Sequence, residues 1–274
     1  MANQLVTPDR YALGRTPAEY DRLRAQARVW EASTARVFDQ ISIAPGASCL
    51  DAGCGPGETM RLMAERVGAT GSVLGIDVDA SLGAEALASL HASGHHQCAF
   101  RAHDITAAEP LPRVDLVYAR LLLFHLPERV AVLARLWDAV ARDGHLVIQD
   151  YDVRAISVLP ALDSAEEIRR VIGAAFDAAG AEVSIGARLP QLFAQAGVGA
   201  PDGTDVAGWL EPLATGGALL ERVYRSLLPT ALAHGITSER DAAATLAAFD
   251  RDTAEFGDRP MLWPLLIAAW KRKR

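Results

Sequence analysis

The chain has 274 residues, half of them hydrophobic, so it can bury a large core, and its formal net charge of −7 disfavours a nucleic-acid substrate. Its three cysteines form no CxxC pair, which argues against a disulfide framework and fits a reducing cytoplasm. The first residues lack a signal-peptide pattern, and no apolar run of about 18 residues predicts a membrane span.

The first half of the chain alternates predicted helices and strands. Residues 16–40 have helical spacing, with Thr16 and Glu19 as a capping box and Pro17 at the first helical position, which predicts a helix in two pieces to Phe38. Apolar runs predict strands at Ser48–Asp51, Ser72–Asp77, Cys98–Ala102, Val114–Ala119 and His145–Asp150. Between them, helices are predicted at Met60–Val67, Leu82–Ala92 and Pro127–Ala141, the last closed by Asp143-Gly144. This alternation is typical of parallel strands with helices on both faces.

The second half is less regular. A capping box at Ser164–Glu167 predicts a helix to Ala179, and further helices are predicted at Leu189–Ala196, Gly217–His234 and Glu239–Phe256. Residues Asp205–Leu210 and Met261–Trp270 predict the last two strands. We expect segments 152–190 and 211–260 to form cap elements over a pocket.

The segment Cys49–Thr59 is the most informative part of the chain. An apolar run ends in Asp51, and Gly53, Gly55 and Gly57 follow at alternate positions before a helix. Glycines here let the backbone pass close to a bound molecule, so the segment predicts a nucleotide-type pocket. A dinucleotide motif would have its third glycine at position 58, where Glu58 would repel a pyrophosphate. A cofactor without phosphate, carrying an amine and a sulfonium, suits this acidic turn better.

With these residues the chain resembles the class I S-adenosylmethionine-dependent methyltransferases over roughly residues 45–150. A second strand ends in Asp77, Asp104 stands in the next motif, and Asp115–Arg120 with Leu121–Pro127 resembles the fourth. Residues Tyr11–Arg15 and Arg22–Gln26 are similar to a subgroup of bacterial small-molecule methyltransferases.

The resemblance implies an α/β fold, a Rossmann-like, seven-stranded and mostly parallel sheet with helices on both faces. N-terminal helical elements and C-terminal helical cap elements are added to it. We expect a helical lid over residues 1–45, a cofactor-binding core over 46–152, and the rest of the sheet with cap insertions over 153–274, in one structural domain.

The resemblance also implies S-adenosylmethionine as the cofactor and assigns residues to its parts. Asp51 would hold the methionine amine, Asp77 both ribose hydroxyls, and Asp104 the adenine amine. The residues expected to surround the cofactor with them are Gly53, Gly55, Gly57, Val78, Ile105, Arg120, Tyr11 and Gln26.

Methyl transfer from a sulfonium needs alignment, and it needs a base only where the acceptor must lose a proton. His125 is the candidate base, with a pocket-lining or structural role as its alternative. Asp150, Tyr151 and Asp152 end the fifth strand on the same rim and are candidates for the substrate pocket. No metal is expected, since His91, His95, His96 and Cys98 do not match a zinc spacing.

The acceptor is expected to be a small apolar or aromatic molecule, because the cap segments are rich in Ala, Leu and Trp. Arginine far outnumbers lysine, which hints at a GC-rich source and makes specialised metabolism a reasonable setting. Other hypotheses stay open: a cyclase or isomerase using the same cofactor site, a methyltransferase of RNA or protein, and a scaffold without cofactor. A homodimer is an open alternative for the assembly.

Overall fold

The computed structural model describes residues 17–274, with side chains from Tyr20 onward. The helices are α1 Pro17–Val29, α2 Glu31–Ile41, α3 Glu58–Val67, α4 Ala80–Ala92, α5 Arg129–Asp138, α6 Asp163–Ala178, α7 Ile185–Gln195, α8 Leu213–Ala233 and α9 Glu239–Glu255. The strands are β1 Ser48–Ala52, β2 Ser72–Asp77, β3 Cys98–Ala102, β4 Val114–Arg120, β5 Val140–Asp152, β6 Ser157–Val158, β7 Gly203–Ala207, β8 Leu210–Pro212, β9 Pro260–Leu262 and β10 Leu265–Arg272.

These residues form two compact units. The sheet unit comprises residues 17–156, 183–209 and 262–274, and the second unit comprises 157–182 and 210–261. No helix among residues 17–274 has a stretch both long and apolar enough to cross a bilayer.

The sheet unit contains a seven-stranded sheet in the order β3-β2-β1-β4-β5-β10-β7. Strands β1 to β5 are mutually parallel, and β10 runs antiparallel to both β5 and β7. The predicted Rossmann-like, mostly parallel sheet is confirmed. Because β1, β2 and β4 are parallel neighbours, Asp51, Asp77 and Arg120 lie at the same carboxyl edge of the sheet.

The apolar face of α2 and α3 explains why these segments are helical and where they pack. Val37 and Phe38 of α2 and Met63 and Val67 of α3 are fully buried in one cluster that also contains residues of β1 and β2. Burial of such side chains contributes about 1.5–3 kcal/mol each, so this cluster fixes the layer that supports the glycine turn.

The predicted helix Pro127–Ala141 is wrong at its C-terminal end. Helix α5 stops at Asp138, and β5 begins at Val140 and continues through Asp143-Gly144. Asp143 has φ of 67°, and a Cβ on Gly144 would lie 2.6 Å from the Asp115 carbonyl oxygen. The Asp-Gly pair therefore lies at a register shift in the pairing of β4 with β5 and does not end a helix.

In the second unit, three helices accompany a three-stranded sheet, β6-β9-β8, which the sequence did not predict. The predicted capping box is also wrong, since α6 begins at Asp163 with Leu162 at the N-cap and no side-chain cap. Ser164 instead donates its hydroxyl to Asp252 of α9 at 2.5 Å. A tertiary hydrogen bond has taken the hydroxyl that the local motif would use. The last predicted strand is divided into β9 and β10.

Candidate active site

The glycine turn between β1 and α3 is held in a conformation that favours glycine. Gly53, Gly55 and Gly57 have φ of 72°, 47° and 79°. The Gly53 N–H donates to the Ile76 carbonyl at 2.8 Å, which ties the turn to the end of β2. A Cβ on Gly55 would meet no atom within 4 Å, so this face of the turn is open. The backbone is therefore free to approach a bound molecule there.

Asp51 is a buried carboxylate with an unused acceptor. Its side chain lies at the end of β1 with 2% exposure, and Oδ2 accepts no hydrogen bond from any residue that the structure describes. Burial raises the pKa of this carboxyl to about 7, while Arg120 lowers it and Asp77 raises it further. Buried acceptors without a donor are rare in native proteins, so Asp51 suits a ligand that brings an N–H donor.

Asp77 joins the glycine turn to the loop after β2. Its Oδ2 accepts from the Gly55 N–H at 2.9 Å, and its Oδ1 accepts from the Asp79 N–H at 2.9 Å. These two contacts fix the plane of the carboxylate. Val78, between Asp77 and Asp79 in the chain, is 51% exposed, so an apolar side chain lies beside this carboxylate. The pair can receive hydroxyls and an aromatic ring side by side.

Asp79, which the sequence did not single out, supports the loop that follows Asp77. Its Oδ1 caps α4 by accepting from the Ser81 and Leu82 N–H groups, and its Oδ2 accepts from the Tyr20 hydroxyl at 2.6 Å. The cap itself is a local signal, an Asp before an apolar helix. The bond to Tyr20 holds α1 against the loop that follows Asp77.

Asp104 and Ile105 follow β3, beside the loop of Asp77. Asp104 is exposed, and its Oδ1 accepts from the Thr106 N–H at 2.8 Å and the Thr106 hydroxyl at 2.7 Å. Ile105 is buried, and its carbonyl accepts from Arg135 at 2.8 Å. Because Asp77 pairs with Ala102 across the two strands, Asp104 lies two residues beyond the partner of Asp77.

Arg120 ends β4 and is held by α2. Its Nη1 donates to the Thr34 hydroxyl at 3.0 Å, and Thr34 donates in turn to Gln149 Oε1 at 2.8 Å. Gln149 Oε1 also accepts from the Tyr118 hydroxyl at 2.6 Å. Thr34 and Gln149 were missed from the sequence, although a glutamine inside the apolar strand β5 is a signal of a buried polar contact.

Gln26 and Tyr151, predicted separately, contact each other. The Gln26 amide donates to the Tyr151 hydroxyl at 2.6 Å, and so does the Trp30 indole N–H at 2.6 Å. Arg22 Nη1 donates to the side-chain Oε1 of Gln26 at 2.7 Å. Tyr151 is 9% exposed, so its buried hydroxyl joins α1 and the N-cap residue of α2 to the end of β5.

His125 lies on a single 3₁₀ turn, Leu123–His125, that follows β4. Its ring packs edge-on against Phe124 with centroids 5.0 Å apart. Burial, together with the smaller effect of the nearby Arg22, lowers the pKa of the imidazole to about 4. The ring is therefore neutral at pH 7 and a weaker base than an ordinary histidine.

The two acids at the end of β5 are engaged within the protein. Asp150 is fully buried, and its oxygens accept from the N–H groups of Phe124 and Tyr151, each at 3.0 Å. Asp152 accepts from the Arg154 side chain at 2.8 and 2.6 Å, which lowers its pKa. Asp150 thus anchors the turn that carries His125, and Asp152 forms a local ion pair.

The remaining predictions concern Tyr11 and a metal site. Tyr11 lies outside the described residues. Residues 20–274 contain no group of three or more His, Cys, Asp or Glu side chains arranged to hold a metal ion. His91 contacts the Cys98 carbonyl at 2.9 Å, which accounts for its place beside β3.

Part of the chain is similar in sequence to known methyltransferases. Residues 49–144 match a family model described as a methyltransferase domain. Trans-aconitate 2-methyltransferase of Rhizobium etli is 34% identical over 100 residues, which cover 36% of this chain and 37% of that protein. Aklanonic acid methyltransferase of Streptomyces sp. is 29% identical over 145 residues, which cover 53% of this chain and 65% of that protein. The chain thus spans less than two thirds of the length of either relative.

Comparison of the structure with solved structures also finds methyltransferases. Phosphoethanolamine N-methyltransferase 2 of Haemonchus contortus superposes with a TM-score of 0.55 at 16% identity, covering 97% of this chain and 60% of that one. This likeness concerns the fold alone. By sequence, residues 49–144 are therefore similar to a methyltransferase domain, and the sheet that contains them has the fold of the methyltransferases.

Proposed function

We propose that this protein transfers a methyl group from S-adenosylmethionine to a small organic acceptor. The observation that carries the proposal is the unused, buried Oδ2 of Asp51 beside an open glycine turn. The cofactor's methionine amine is a cationic donor that matches this acceptor. Asp77 and Asp104 follow at the ends of the next two strands, in the order that a nucleoside extending along the sheet edge requires.

The assignments of the other residues follow from this placement. Asp77 would accept from the ribose hydroxyls while it holds Gly55, and exposed Val78 would pack on the adenine. Asp104 and the Ile105 backbone would hold the edge of the adenine. Arg120, which ends β4, would hold the methionine carboxylate, because β4 pairs with the strand that carries Asp51.

The bound cofactor supplies an activated methyl group, and the protein's task is to orient it and to exclude water. His125 is neutral at pH 7, and with a pKa of about 4 it is poorly matched to taking a proton from an alcohol. An acceptor that is already ionised at neutral pH needs no such base. This supports a carboxylate or an acidic phenol as the methylated group.

The names of the relatives agree with this chemistry, since trans-aconitate and aklanonic acid are organic acids. We propose an acidic metabolite with an apolar or aromatic body, in specialised metabolism. Cys49, Cys54 and Cys98 are buried free thiols, which supports a reducing, cytoplasmic setting.

The direct test is incubation with methyl-labelled S-adenosylmethionine and a panel of carboxylic acids, phenols, alcohols and amines. We expect label in the acids or acidic phenols. Label only in amines or alcohols would contradict the proposed acceptor class. Cofactor binding without label transfer to any acceptor would favour a cyclase or isomerase, and salt-sensitive RNA binding would favour a macromolecular substrate.

The ribose assignment is tested by Asp77→Ala. We expect the Kd for S-adenosylmethionine to rise by tenfold or more, because charged hydrogen bonds to the ribose and the support of Gly55 are lost together. Isothermal titration calorimetry measures this. Asp138→Ala is the matched control, since Asp138 is an exposed carboxyl at the far end of α5. An unchanged Kd in Asp77→Ala would rule the assignment out.

A further inference from the structure

A buried polar relay links α2 to the end of β4. Its members are Arg120, Thr34 and Gln149, with Tyr118 bonded to the same glutamine. Thr34, Gln149 and Tyr118 are fully buried. Three buried polar side chains require mutual hydrogen bonds to offset their desolvation, so their arrangement is constrained.

The two hydrogen bonds that Gln149 accepts set the direction of the bond between Arg120 and Thr34; the Thr34 and Tyr118 hydroxyls also lie 3.4 Å apart. Gln149 Oε1 is an acceptor only, and it receives the protons of both the Tyr118 and the Thr34 hydroxyls. Each hydroxyl has a single proton to donate. Because the Thr34 hydroxyl donates its proton to Gln149, its oxygen can only accept the hydrogen bond from Arg120. Gln149 thus makes Thr34 an acceptor for the guanidinium.

Arg120 and Asp51 form a complementary pair across neighbouring strands. Asp51 of β1 is paired with Tyr118 of β4, so Arg120 stands two residues further toward the carboxyl edge. The guanidinium is near enough to lower the pKa of the Asp51 carboxyl. An anionic acceptor beside a cationic donor matches the ammonium and carboxylate of an α-amino acid.

We propose that Thr34 and Gln149 are positioning residues that hold Arg120 for the carboxylate of the cofactor's methionine moiety. This inference rests on the proposed function. Helix α2 thereby contributes to cofactor affinity through a residue that does not touch the cofactor. The effect is confined to the amino-acid end, because the adenosine contacts belong to Asp77, Val78 and Asp104.

The test compares two ligands that differ only at that end. S-adenosylhomocysteine carries the amino-acid moiety, and 5′-methylthioadenosine lacks it. In Thr34→Val we expect the Kd for S-adenosylhomocysteine to rise about fivefold or more, because the guanidinium loses its acceptor. The Kd for 5′-methylthioadenosine should change less than about twofold. Thr34→Ser restores the hydroxyl and should restore the affinity.

Two controls separate positioning from general destabilisation. Ser164 is also a buried hydroxyl, but it donates to Asp252 in the second unit, so Ser164→Ala should leave the ratio of the two Kd values unchanged. In an Arg120→Gln background, Thr34→Val should add nothing further to the ratio, since the two residues act as one unit. Thr34→Ala serves in the same comparison if Thr34→Val does not fold.

The possible failures are distinguishable. If the wild-type protein binds neither ligand, the proposed function is wrong. If the wild type binds both and Thr34→Val changes both Kd values equally, or neither, the relay does not position Arg120 and the proposed function stands.

Discussion

At the scale of single residues, Asp51 has a charge state that depends on its surroundings. Burial raises the pKa of its carboxyl to about 7, against a usual value of 3.8. A free carboxyl with this pKa is only partly ionised at neutral pH. A cationic amine bound against it would favour the ionised form and lower that pKa, so binding releases a proton.

This predicts that cofactor affinity rises with pH. Between pH 6 and pH 8 the ionised fraction of a group with a pKa near 7 rises about tenfold, and the affinity for S-adenosylhomocysteine should rise with it. Calorimetry at several pH values measures the affinity. Asp51→Asn should bind more weakly and lose most of this slope. An identical slope in the variant would show that another group is responsible.

At the scale of elements, the 3₁₀ turn of His125 depends on β5. Asp150 is buried, and Oδ2 accepts the Phe124 N–H while the other oxygen accepts the N–H of Tyr151. Helix α7 packs closely against β5, since a Cβ on Gly186 would clash with the Asp150 carbonyl oxygen. The position of His125 is therefore determined by the contact of three elements and not by its own segment.

Asp150→Asn should disturb this turn, because an amide N–H₂ placed against a backbone N–H loses an acceptor. We expect destabilisation on the order of 1–3 kcal/mol below pH 7, measured by urea unfolding. Asp152→Asn is the neighbouring control; it weakens only the local pair with Arg154 and should cost less than about 1 kcal/mol. Equal effects of the two changes would contradict the anchoring role of Asp150.

Gly186→Ala tests the packing of α7 on β5. The added methyl group would meet backbone, which cannot rotate away, so we expect a loss of about 1–3 kcal/mol. Gly173→Ala, inside α6, is the matched control; its Cβ would meet nothing within 4 Å. It should be neutral or stabilise by up to about 1 kcal/mol. Thermal unfolding compares the two, and a harmless Gly186→Ala would contradict the close approach.

At the scale of the whole molecule, two buried carboxyls make stability depend on pH. Asp51 and Asp150 each have a pKa raised to about 7 by burial. The native state therefore holds more protons than the unfolded state between about pH 4 and pH 7. Their contribution is fully present below the unfolded pKa and is lost as the pH rises through 7.

We therefore expect each carboxyl to stabilise the sheet unit at pH 5 relative to pH 7.5 by on the order of 2 kcal/mol, while the lowered pKa of His125 contributes in the opposite direction and reduces the net gain. The five tryptophans, at positions 30, 137, 209, 263 and 270, all belong to the sheet unit, so tryptophan fluorescence follows its unfolding. Asp51→Asn should flatten the pH dependence. An unchanged dependence in that variant would assign it to other groups.

Much of the fold and of the cofactor site follows from local sequence. Glycines at 53, 55 and 57 adopt positive φ, as their spacing indicates, and Asp51 and Asp77 end strands whose apolar runs are continuous. These features depend on backbone conformation and short-range periodicity, which a chain segment carries with it. The parallel arrangement of the first five strands follows from the same alternation, and the seven-stranded sheet was expected from the resemblance to the methyltransferases.

Long-range contacts decided the rest. The Asp143-Gly144 pair reads as a helix end but lies inside β5, because β4 and the end of β10 meet it there. Thr34, Gln149 and Arg120 are separated by 29 to 115 residues and become a relay only when α2 packs on the sheet. Sequence by itself determined the methyltransferase core and the acids at its strand ends. Tertiary structure decided which polar groups are buried together, because burial and hydrogen-bond partners are properties of packed elements and not of segments.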